Sequence, residues 1–257
     1  MDNLFSLQDR VALVTGASQG LGAEMAKSLA SAGAHVILVA RNSEKLEKKA
    51  KEISNDGGHA TPYVLDITNE EAVCRAVTEI TSEHGIVDIL VNNAGIIERV
   101  GLTDSTTEGF EAVLETNVTA SYVLSREFAK AMLKNQYGRI VNIGSILSLV
   151  GRSSVHAYTV SKHAISGLTQ ALASDLGPSG INVNAILPGY FKTEINVVLQ
   201  ENQPFDQMVR TRTPLARWGE ANELAGPLTF LCSEASSYVN GHLLVVDGGF
   251  TSTIQGP

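Results

Sequence analysis

Short runs of strand-forming apolar residues alternate with longer helical patterns along the whole of this 257-residue sequence. Several runs are apolar at successive positions, as in Val36-Ile37-Leu38-Val39-Ala40, a pattern typical of strands buried on both faces of a parallel sheet. Helices must then cover both faces. The sequence therefore predicts one doubly wound α/β domain over residues 1–257, with a seven-stranded parallel sheet. The predicted strands are Val11–Thr15, His35–Ala40, Ala60–Leu65, Ile89–Asn92, Gly138–Ile143, Ile181–Ile186 and Leu243–Val246.

Composition narrows the kinds of partner that the chain can have. A hydrophobic fraction of 44% is enough to bury one large core, and no apolar stretch approaches the roughly 18 residues of a membrane span. A formal net charge of −8 without a compensating basic run argues against nucleic acid. Cys74 and Cys232 match no metal or redox spacing, so both are expected to be reduced. We expect a soluble, unprocessed cytoplasmic protein with no membrane partner and no metal site.

The turn between the first predicted strand and the first helix reads Thr15-Gly16-Ala17-Ser18-Gln19-Gly20-Leu21-Gly22. Its three glycines let a backbone turn sharply and approach a ligand without side-chain obstruction. The helix N-terminus that follows offers free N–H groups and a positive dipole end, which suit a pyrophosphate. The turn therefore predicts a dinucleotide site. The expected contacts are Gly16, Ser18, Gln19, Gly20, Leu21 and Gly22.

The end of the second predicted strand indicates which dinucleotide binds. It reads Val39-Ala40-Arg41-Asn42-Ser43, with no acidic residue where a carboxylate would bind the ribose 2′-hydroxyl of NAD. The Arg41 guanidinium can pair with a 2′-phosphate, and Asn42 can hydrogen-bond it. The sequence predicts a preference for NADP(H), with use of NAD(H) left open. The alternative is a surface arginine whose charge lies in water.

Two more strand ends carry candidate cofactor contacts. Asp66 and Ile67 could accept a hydrogen bond from an adenine amino group and pack against its ring. Alternatively, Asp66 belongs to a helix N-terminal region that Thr68 caps. The segment Asn92-Asn93-Ala94-Gly95 offers small residues and amides that suit backbone contact with a cofactor and can fix the central sheet. The contacts expected from it are Asn93, Ala94 and Gly95.

Three residues in the second half point to proton transfer. Ser145 follows the fifth predicted strand, and Tyr158 and Lys162 lie four residues apart on a predicted helix, so that both project from one face. A positive charge about 4 Å from a phenolate stabilises it by roughly 4 kcal/mol at an effective dielectric near 20, which lowers a pKa of about 10 by several units. A serine hydroxyl could hold a substrate oxygen against that phenol. The set predicts acid/base chemistry at a carbonyl or alcohol.

Together these motifs resemble the short-chain dehydrogenase/reductase family over essentially the whole chain. The matching segments, in the family's order and spacing, are Thr15 to Gly22, Asn92 to Gly95, Asn117, Ser145, Tyr158 with Lys162, Pro188-Gly189 and Asp247-Gly248-Gly249. The resemblance implies a Rossmann-type fold with a cofactor half over about residues 1–140 and a catalytic half over about residues 141–257. It also implies a homotetramer in which the helices around Asn117 and Tyr158 pack against their counterparts.

The resemblance also implies individual roles. Tyr158 would be the acid/base, and Ser145 would orient the reacting oxygen. Lys162 would lower the pKa of Tyr158 and bind the nicotinamide ribose, while Asn117 would hold a water linking Lys162 to solvent. Without the family, Asn117 would be interpreted as a solvent-facing helical residue. The segment expected to bind the nicotinamide carboxamide contains Pro188, Gly189 and Thr193.

Three features depart from the regular pattern. Gln19 stands where many NADP-dependent members have a basic residue. Lys192 stands where small or apolar residues are frequent, and the sequence offers no explanation for its charge. The polar segment 193–214 contains Pro204 and is predicted to be a mobile lid over the site.

A finer resemblance is to gluconate 5-dehydrogenase-like members. It rests on Leu4-Phe5-Ser6-Leu7, Pro188-Gly189-Tyr190-Phe191, and Arg212-Thr213-Pro214 through Arg217-Trp218-Gly219. It implies a sugar acid, a polyol or a small ketone as substrate. Arg99 and Arg152 could neutralise a substrate carboxylate, although each alone could also be a solvated surface charge.

Two other functions remain open. A 3-oxoacyl-[acyl-carrier-protein] reductase shares the catalytic motifs but would need a basic docking face. Arg126, Lys130 and Lys134 recur at helical spacing, although an ordinary solvated helix face would explain them. A non-catalytic dinucleotide-binding regulator is the second alternative, and the intact Ser145, Tyr158 and Lys162 speak against it.

Overall fold

A computed structural model of the chain describes residues 4–253, so residues 1–3 and 254–257 of the predicted domain lie outside the described residues. The strands are β1 (Val11–Thr15), β2 (His35–Ala40), β3 (His59–Val64), β4 (Ile89–Asn92), β5 (Gly138–Ile143), β6 (Ile181–Pro188), β7 (Phe191–Lys192), β8 (Gly219–Glu220) and β9 (Leu243–Val246). Seven of them form one parallel sheet in the order β3-β2-β1-β4-β5-β6-β9. The prediction of a seven-stranded parallel sheet is confirmed.

Helices cover both faces of this sheet. They are α1 (Gly20–Ser31), α2 (Ser43–Asn55), α3 (Glu70–His84), α4 (Thr107–Leu114), α5 (Ala120–Asn135), α6 (His156–Leu176), α7 (Val197–Glu201), α8 (Gln203–Arg212) and α9 (Ala225–Cys232). Successive residues of β1 enter different cores: Val14 packs with α1, α2 and α9, whereas Leu13 packs with α3 and α5. The apolar strands are therefore buried from both sides, as the sequence predicted.

Local differences from the sequence prediction have simple causes. β6 continues two residues beyond Ile186, to Pro188, because it pairs with β9 there. β3 begins at His59, one residue early, and accommodates Pro62 because it forms an edge of the sheet, where a missing N–H is tolerated. The predicted lid contains two helices, α7 and α8.

The helical region after Phe110 is interrupted by one unusual turn. Residues Glu115–Thr119 form a π-helical turn that joins α4 to α5. Such turns are rare and occur frequently at functional sites. Here the turn carries Asn117, which is only 2% exposed. The interpretation of Asn117 as a solvent-facing residue is therefore wrong, because the π turn directs it into the protein.

The order of the strands determines where a ligand can bind. The chain runs outward from β1 through β2 to β3 and then returns to β4 on the other side of β1. This reversal opens a crevice beyond the carboxyl ends of β1 and β4, where doubly wound sheets bind their ligands. The amino ends of the strands lie at the opposite edge.

A group of histidines lies at that opposite edge. The ring of His35, at the start of β2, packs edge-on against the ring of His84, with centroids 5.0 Å apart. His35 Nε2 is 2.9 Å from Thr61 Oγ1. Burial lowers the pKa of His35 below the usual 6.5, and the charges of His84 and His59 lower it further. His35 is therefore held in its neutral form by the fold.

We predict that His35→Gln reduces the loss of stability on mild acidification. The unfolded chain takes up a proton on this imidazole below about pH 6.5, whereas the folded chain resists it, so stability present above that pH is lost as the pH falls. Urea unfolding at about pH 8 and about pH 5.5 should show a smaller difference in unfolding free energy for the variant. His242→Gln, at an exposed position, is the matched control. Equal differences in wild type and His35→Gln would contradict this account.

Candidate functional site

The residues predicted to bind a cofactor or substrate gather at the carboxyl edge of the sheet. They lie in the loops that follow β1, β2, β3, β4, β5 and β6, and in helix α6. Parallel strands end at a common edge, which explains why segments distant in sequence meet here. The site is therefore a product of the sheet topology.

The glycine-rich turn after β1 leaves space for a ligand. Gly16 has φ +67°, and a Cβ built on it would lie 3.0 Å from the Cα of Ala94. A Cβ on Gly22 would collide with Gly16 O and with Asn93 Nδ2. The backbone thus closes tightly on itself, and the N-terminus of α1 begins directly after the turn. A cradle of this kind at a helix N-terminus fits the pyrophosphate of a dinucleotide.

A buried hydroxyl joins this turn to the loop after β4. Thr15 Oγ1 accepts hydrogen bonds from the N–H groups of Asn93 and Ala94, each at 3.0 Å. Asn93 Nδ2 donates to Thr15 O at 2.8 Å. The two loops that border the crevice are therefore held at a fixed separation.

A second buried network connects β4 to α6. Asn92 Nδ2 donates to Asn142 Oδ1 at 2.9 Å, and Asn142 Nδ2 donates to Thr169 Oγ1 in α6, also at 2.9 Å. All three residues are at most 4% exposed. Hydrogen bonds between buried side chains favour one arrangement of the elements that carry them. The expected role of Asn92 in fixing the central sheet agrees with these contacts.

The loop after β2 presents exposed polar groups. Asn42 Oδ1 accepts a hydrogen bond from Lys45 N at 2.9 Å and thereby caps α2. The Asn42 amide nitrogen takes no part in this cap. Arg41 is exposed, and its charge contributes to a lowered pKa of Asp66. The main causes of that lowering are hydrogen bonds from the Thr68 hydroxyl and N–H.

The expectations for the loop after β3 need correction. Thr68 does not cap α3, because its hydroxyl donates to Asp66; Asn69 is the cap and accepts from Ala72 N at 2.9 Å. Ile67 is only 9% exposed and belongs to the core cluster beneath α3. Little of its side chain remains for an adenine ring. Asp66 stays exposed at the edge of the crevice.

Ser145 and Tyr158 come together as expected. The Ser145 hydroxyl lies near the Tyr158 phenol and acts to lower the pKa of that phenol. Its oxygen also accepts from Leu147 N at 3.1 Å, so Ser145 caps a short 3₁₀ turn over Ile146–Ser148. Ser148 Oγ then donates to Lys162 O at 2.7 Å, which fastens this turn to α6.

Lys162 lies beside the tyrosine, but its ammonium points to another partner. Lys162 Nζ lies 5.4 Å from the Tyr158 ring centroid and donates to Ile143 O at 2.7 Å. Burial lowers the pKa of Lys162 to about 8. Burial also raises the pKa of Tyr158 above its usual 10 in this structure, against the opposing effects of Ser145, Arg99 and Arg152.

The expected lowering of the Tyr158 pKa by Lys162 is therefore not found here. The ammonium is engaged with the end of β5, and the surrounding protein desolvates the phenol of the half-buried Tyr158. The positive charges that do lower the Tyr158 pKa belong to Arg99 and Arg152, after the hydrogen bond from Ser145. Sequence spacing placed Lys162 on the right helix face but could not reveal the carbonyl that it binds.

Asn117 connects the loop after β4 to α6. Its Oδ1 accepts from Ile96 N at 2.8 Å, and its Nδ2 donates to Ile96 O and to Ser161 Oγ, each at 3.0 Å. A Cβ at Gly95 would lie 3.1 Å from Asn117 Oδ1. The asparagine side chain thus accounts for the small residue at position 95. Its amide is fully engaged with protein atoms.

Arg99 and Arg152 lie within electrostatic range of each other and of Tyr158. Partial desolvation and the charge of Arg152 lower the pKa of Arg99, and both charges act on Tyr158. The Arg152 guanidinium also lies over the ring of Phe205 in α8, 5.5 Å from its centroid. The charges of two cations from different loops therefore act on the same phenol.

The segment after β6 borders the other side of the crevice. Gly189 N donates to Val246 O at 2.9 Å, and a Cβ at Gly189 would collide with Asp247. Thr193 approaches the glycine-rich turn, since its Cβ lies 3.9 Å from the position of a Cβ on Gly20. Lys192, which the sequence left unexplained, pairs with Glu220 across the two-stranded β7–β8 ribbon.

The predicted lid rests on an aromatic cluster. Tyr190 packs edge-on against Phe205, Trp218 and Phe250, with centroids 5.2 to 5.5 Å apart. Trp218 is 1% exposed, and its Nε1 donates to Asp206 in α8 at 2.7 Å. Helix α8 is thus anchored at its base while it faces Arg152.

Several residues that shape the site were missed from the sequence. Lys45, Ser148, Ser161 and Phe205 act through neighbours that are distant along the chain. Only Lys45 had a local signal, since it follows the Arg41-Asn42 pair by one helical turn. Within residues 4–253, no group of three or more His, Cys, Asp or Glu side chains could hold a metal ion, and no helix could cross a membrane.

Comparisons with known proteins agree with this site. The sequence model of a family described as enoyl-(acyl carrier protein) reductase matches residues 16–251. Gluconate 5-dehydrogenase of Gluconobacter oxydans (strain 621H) is 40% identical over 252 residues, 98% of this chain and 98% of that protein. The 2-dehydro-3-deoxy-D-gluconate 5-dehydrogenase of Bacillus subtilis (strain 168) is also 40% identical over 252 residues, with the same coverage of both chains.

A solved structure shows the same fold at similar identity. The crystal structure of a gluconate 5-dehydrogenase from Burkholderia cenocepacia J2315, in complex with NADP and tartrate, matches with a TM-score of 0.95. It is 37% identical and covers 98% of each chain. The fold, the motifs and these relatives lead to one conclusion. The chain belongs to the short-chain dehydrogenase/reductase family of NAD(P)-dependent oxidoreductases.

Proposed function

We propose that this enzyme interconverts a secondary alcohol and a ketone on a sugar acid, with NADP(H) as the preferred cofactor. The observation that carries the proposal is that the charges of Arg99 and Arg152 both act on the Tyr158 phenol. A phenol held by Ser145 is suited to proton transfer, and two cations beside it are suited to a carboxylate. The names of the gluconate-oxidising relatives support the same substrate class.

Tyr158 and Ser145 carry the proton chemistry in this proposal. In the oxidation direction, Tyr158 accepts the proton of the substrate hydroxyl, and Ser145 holds that oxygen against the phenol; in reduction Tyr158 returns the proton. The nicotinamide ring of the bound cofactor accepts or supplies the hydride. Lys162, with a pKa of about 8, is mostly protonated at neutral pH and can donate to a ribose hydroxyl. Its charge stabilises phenolate character when it faces the phenol.

The cofactor contacts follow from the crevice. The turn Gly16 to Gly22, together with Asn93, Ala94 and Gly95, would hold the pyrophosphate and the adjoining ribose. Arg41 and Asn42 would bind a 2′-phosphate, which supports NADP(H), and Asp66 would lie beside the adenine. Pro188, Gly189 and Thr193 would contact the carboxamide. The NADP in the Burkholderia relative supports this assignment.

We also propose that residues 193–214 act as a lid and that the enzyme is a cytoplasmic homotetramer. The stacking of Arg152 on Phe205 supports the lid, because it joins α8 to the substrate loop. Exposed apolar side chains on α5 and α6 support helix pairing between subunits. They are Tyr122, Leu133 and Val160, each at least 41% exposed.

The acyl-carrier-protein alternative finds less support. Arg126 pairs with Glu70 and Glu127, and Lys130 pairs with Glu127, so acidic partners already neutralise this face. An acidic carrier protein would have to compete with these internal pairs. Reduction of a 3-oxoacyl thioester, but not of a keto-sugar acid, would nevertheless replace the proposed substrate class.

The first prediction from this proposed function is turnover of sugar acids that depends on Tyr158. Purified enzyme with NADP⁺ or NADPH should convert gluconate-like acids or their keto forms, followed by absorbance near 340 nm. Tyr158→Phe should lower kcat by about 10²- to 10⁴-fold, because the general acid/base is lost while the ring remains. NADPH binding, measured by fluorescence, should be retained. Undiminished turnover by Tyr158→Phe would reject the acid/base role, and no turnover with either cofactor would favour the regulator.

The second prediction concerns the two arginines. Arg99→Ala and Arg152→Ala should each raise KM for a sugar acid by about tenfold or more, since a charge-assisted contact to the carboxylate is lost. KM for a neutral polyol or ketone should change little. Arg217→Ala is a matched control, because that arginine pairs with Glu223 away from Tyr158. Equal effects on acidic and neutral substrates would remove the arginines from carboxylate binding.

The third prediction assigns Asn117 a positioning role. We propose that Asn117 holds the Ile96 backbone against α6, in place of the water-holding role that the resemblance implied. Asn117→Ala should lower the free energy of unfolding by about 1–3 kcal/mol, because it leaves the Ile96 N–H without its acceptor. Urea unfolding would measure this loss. Ser161→Ala, which removes one contact but keeps the Ile96 pair, should cost less; an equal or greater cost would contradict the assignment.

A further inference from the structure

One lysine outside the predicted site reaches the glycine-rich turn. Lys45 Nζ donates to Gln19 Oε1 at 2.7 Å, although the residues are 26 positions apart. Gln19 stands where many NADP-dependent members of the family have a basic residue. We infer that Lys45 supplies this missing positive charge and selects for the 2′-phosphate of the cofactor. The inference rests on the proposed use of NADP(H).

The backbone of Lys45 is fixed by the same residue that is expected to contact the phosphate. Asn42 Oδ1 accepts from Lys45 N at 2.9 Å in the first turn of α2. The Lys45 side chain then crosses from the N-terminus of α2 to Gln19, the N-cap residue of α1. Its ammonium thus bridges two helix N-termini, both of which favour a nearby anion.

The partner of Lys45 is neutral, which distinguishes it from other lysines nearby. Lys49 pairs with Glu52 and Lys27 pairs with Asp56, so carboxylates compensate those charges. The amide oxygen of Gln19 orients the Lys45 ammonium without neutralising it. An ammonium has three N–H donors, so Lys45 can keep Gln19 and still donate to a phosphate. Gln19 therefore becomes a positioning residue and Lys45 a binding residue.

Arg41 supplies a second cation in the same loop. Its charge contributes to the lowered pKa of Asp66. The Asp66 carboxylate also accepts hydrogen bonds from the Thr68 hydroxyl and N–H. The carboxylate of Glu44 lies in the first turn of α2, on an exposed residue. A 2′-phosphate near Asn42 would thus have Arg41 and Lys45 as cationic neighbours. A neutral 2′-hydroxyl gains little from either charge, so the two cations would favour NADP(H) over NAD(H).

Binding of cofactor fragments tests this inference without turnover. The intact enzyme is titrated calorimetrically with 2′,5′-ADP and with 5′-AMP, which differ by the 2′-phosphate. Lys45→Gln should weaken binding of 2′,5′-ADP by about 10- to 100-fold, as for one charge-assisted contact, and change 5′-AMP binding less than about twofold. Lys48→Gln, at an exposed position of the same helix, is the matched control and should change neither.

A charge-swap variant makes the test sharper. In Gln19→Arg combined with Lys45→Gln, the cation is returned at position 19, and selectivity for 2′,5′-ADP should recover. If Lys45→Gln keeps wild-type selectivity while Arg41→Ala loses it, the inference is overturned and NADP(H) preference stands. If the wild-type enzyme binds both fragments equally, the NADP(H) proposal itself fails. Loss of both ligands in Lys45→Gln would also overturn the inference, since the effect would not be specific to the 2′-phosphate.

Discussion

The hydrogen bonds of Thr15 hold together the two strand ends on which the whole site depends. Its hydroxyl fixes the loop after β4 against the loop after β1, at the point where the strand order reverses. The crevice at this reversal of strand order requires the two loops to stay separated and in a fixed relative position. The Asn92–Asn142–Thr169 contacts extend the alignment to α6, and therefore to Tyr158 and Lys162. Buried polar groups thus fix the position of the glycine-rich turn relative to Tyr158.

The seven-stranded sheet was predictable because each of its strands has a local signal. The β1, β2, β4, β5 and β9 strands have the predicted bounds, since apolar runs bounded by turns determine them directly. The site was predictable only in part. Ser145 and Tyr158 meet because β5 and α6 follow one another, but the Lys162–Ile143 contact and the burial of Asn117 arise from packing that no local pattern reveals. Likewise, Lys45 reaches Gln19 across two separate helices.

Burial works against ionisation of Tyr158, so proton transfer by this phenol would need compensation. Desolvation raises the pKa of Tyr158 and lowers that of Lys162 to about 8, and each change disfavours the charged form. The Ser145 hydroxyl and the charges of Arg99 and Arg152 oppose this desolvation at the phenol, because they lower the pKa of Tyr158. The same arginines that suit a substrate carboxylate therefore also favour ionisation of Tyr158. A bound carboxylate would screen them, which couples substrate binding to the phenol's proton affinity.

The placement of cations also explains how an acidic protein can attract anionic ligands. The chain carries a formal net charge of −8, yet Arg41, Lys45, Arg99, Arg152 and Lys162 all lie at the carboxyl edge of one sheet. Helix N-termini at α1 and α2 add partial positive charge at the same edge. Local potential, and not net charge, steers a charged ligand within about one Debye length of a cleft. A dinucleotide phosphate and a sugar carboxylate would thus be drawn to the cationic groups in adjoining parts of one crevice.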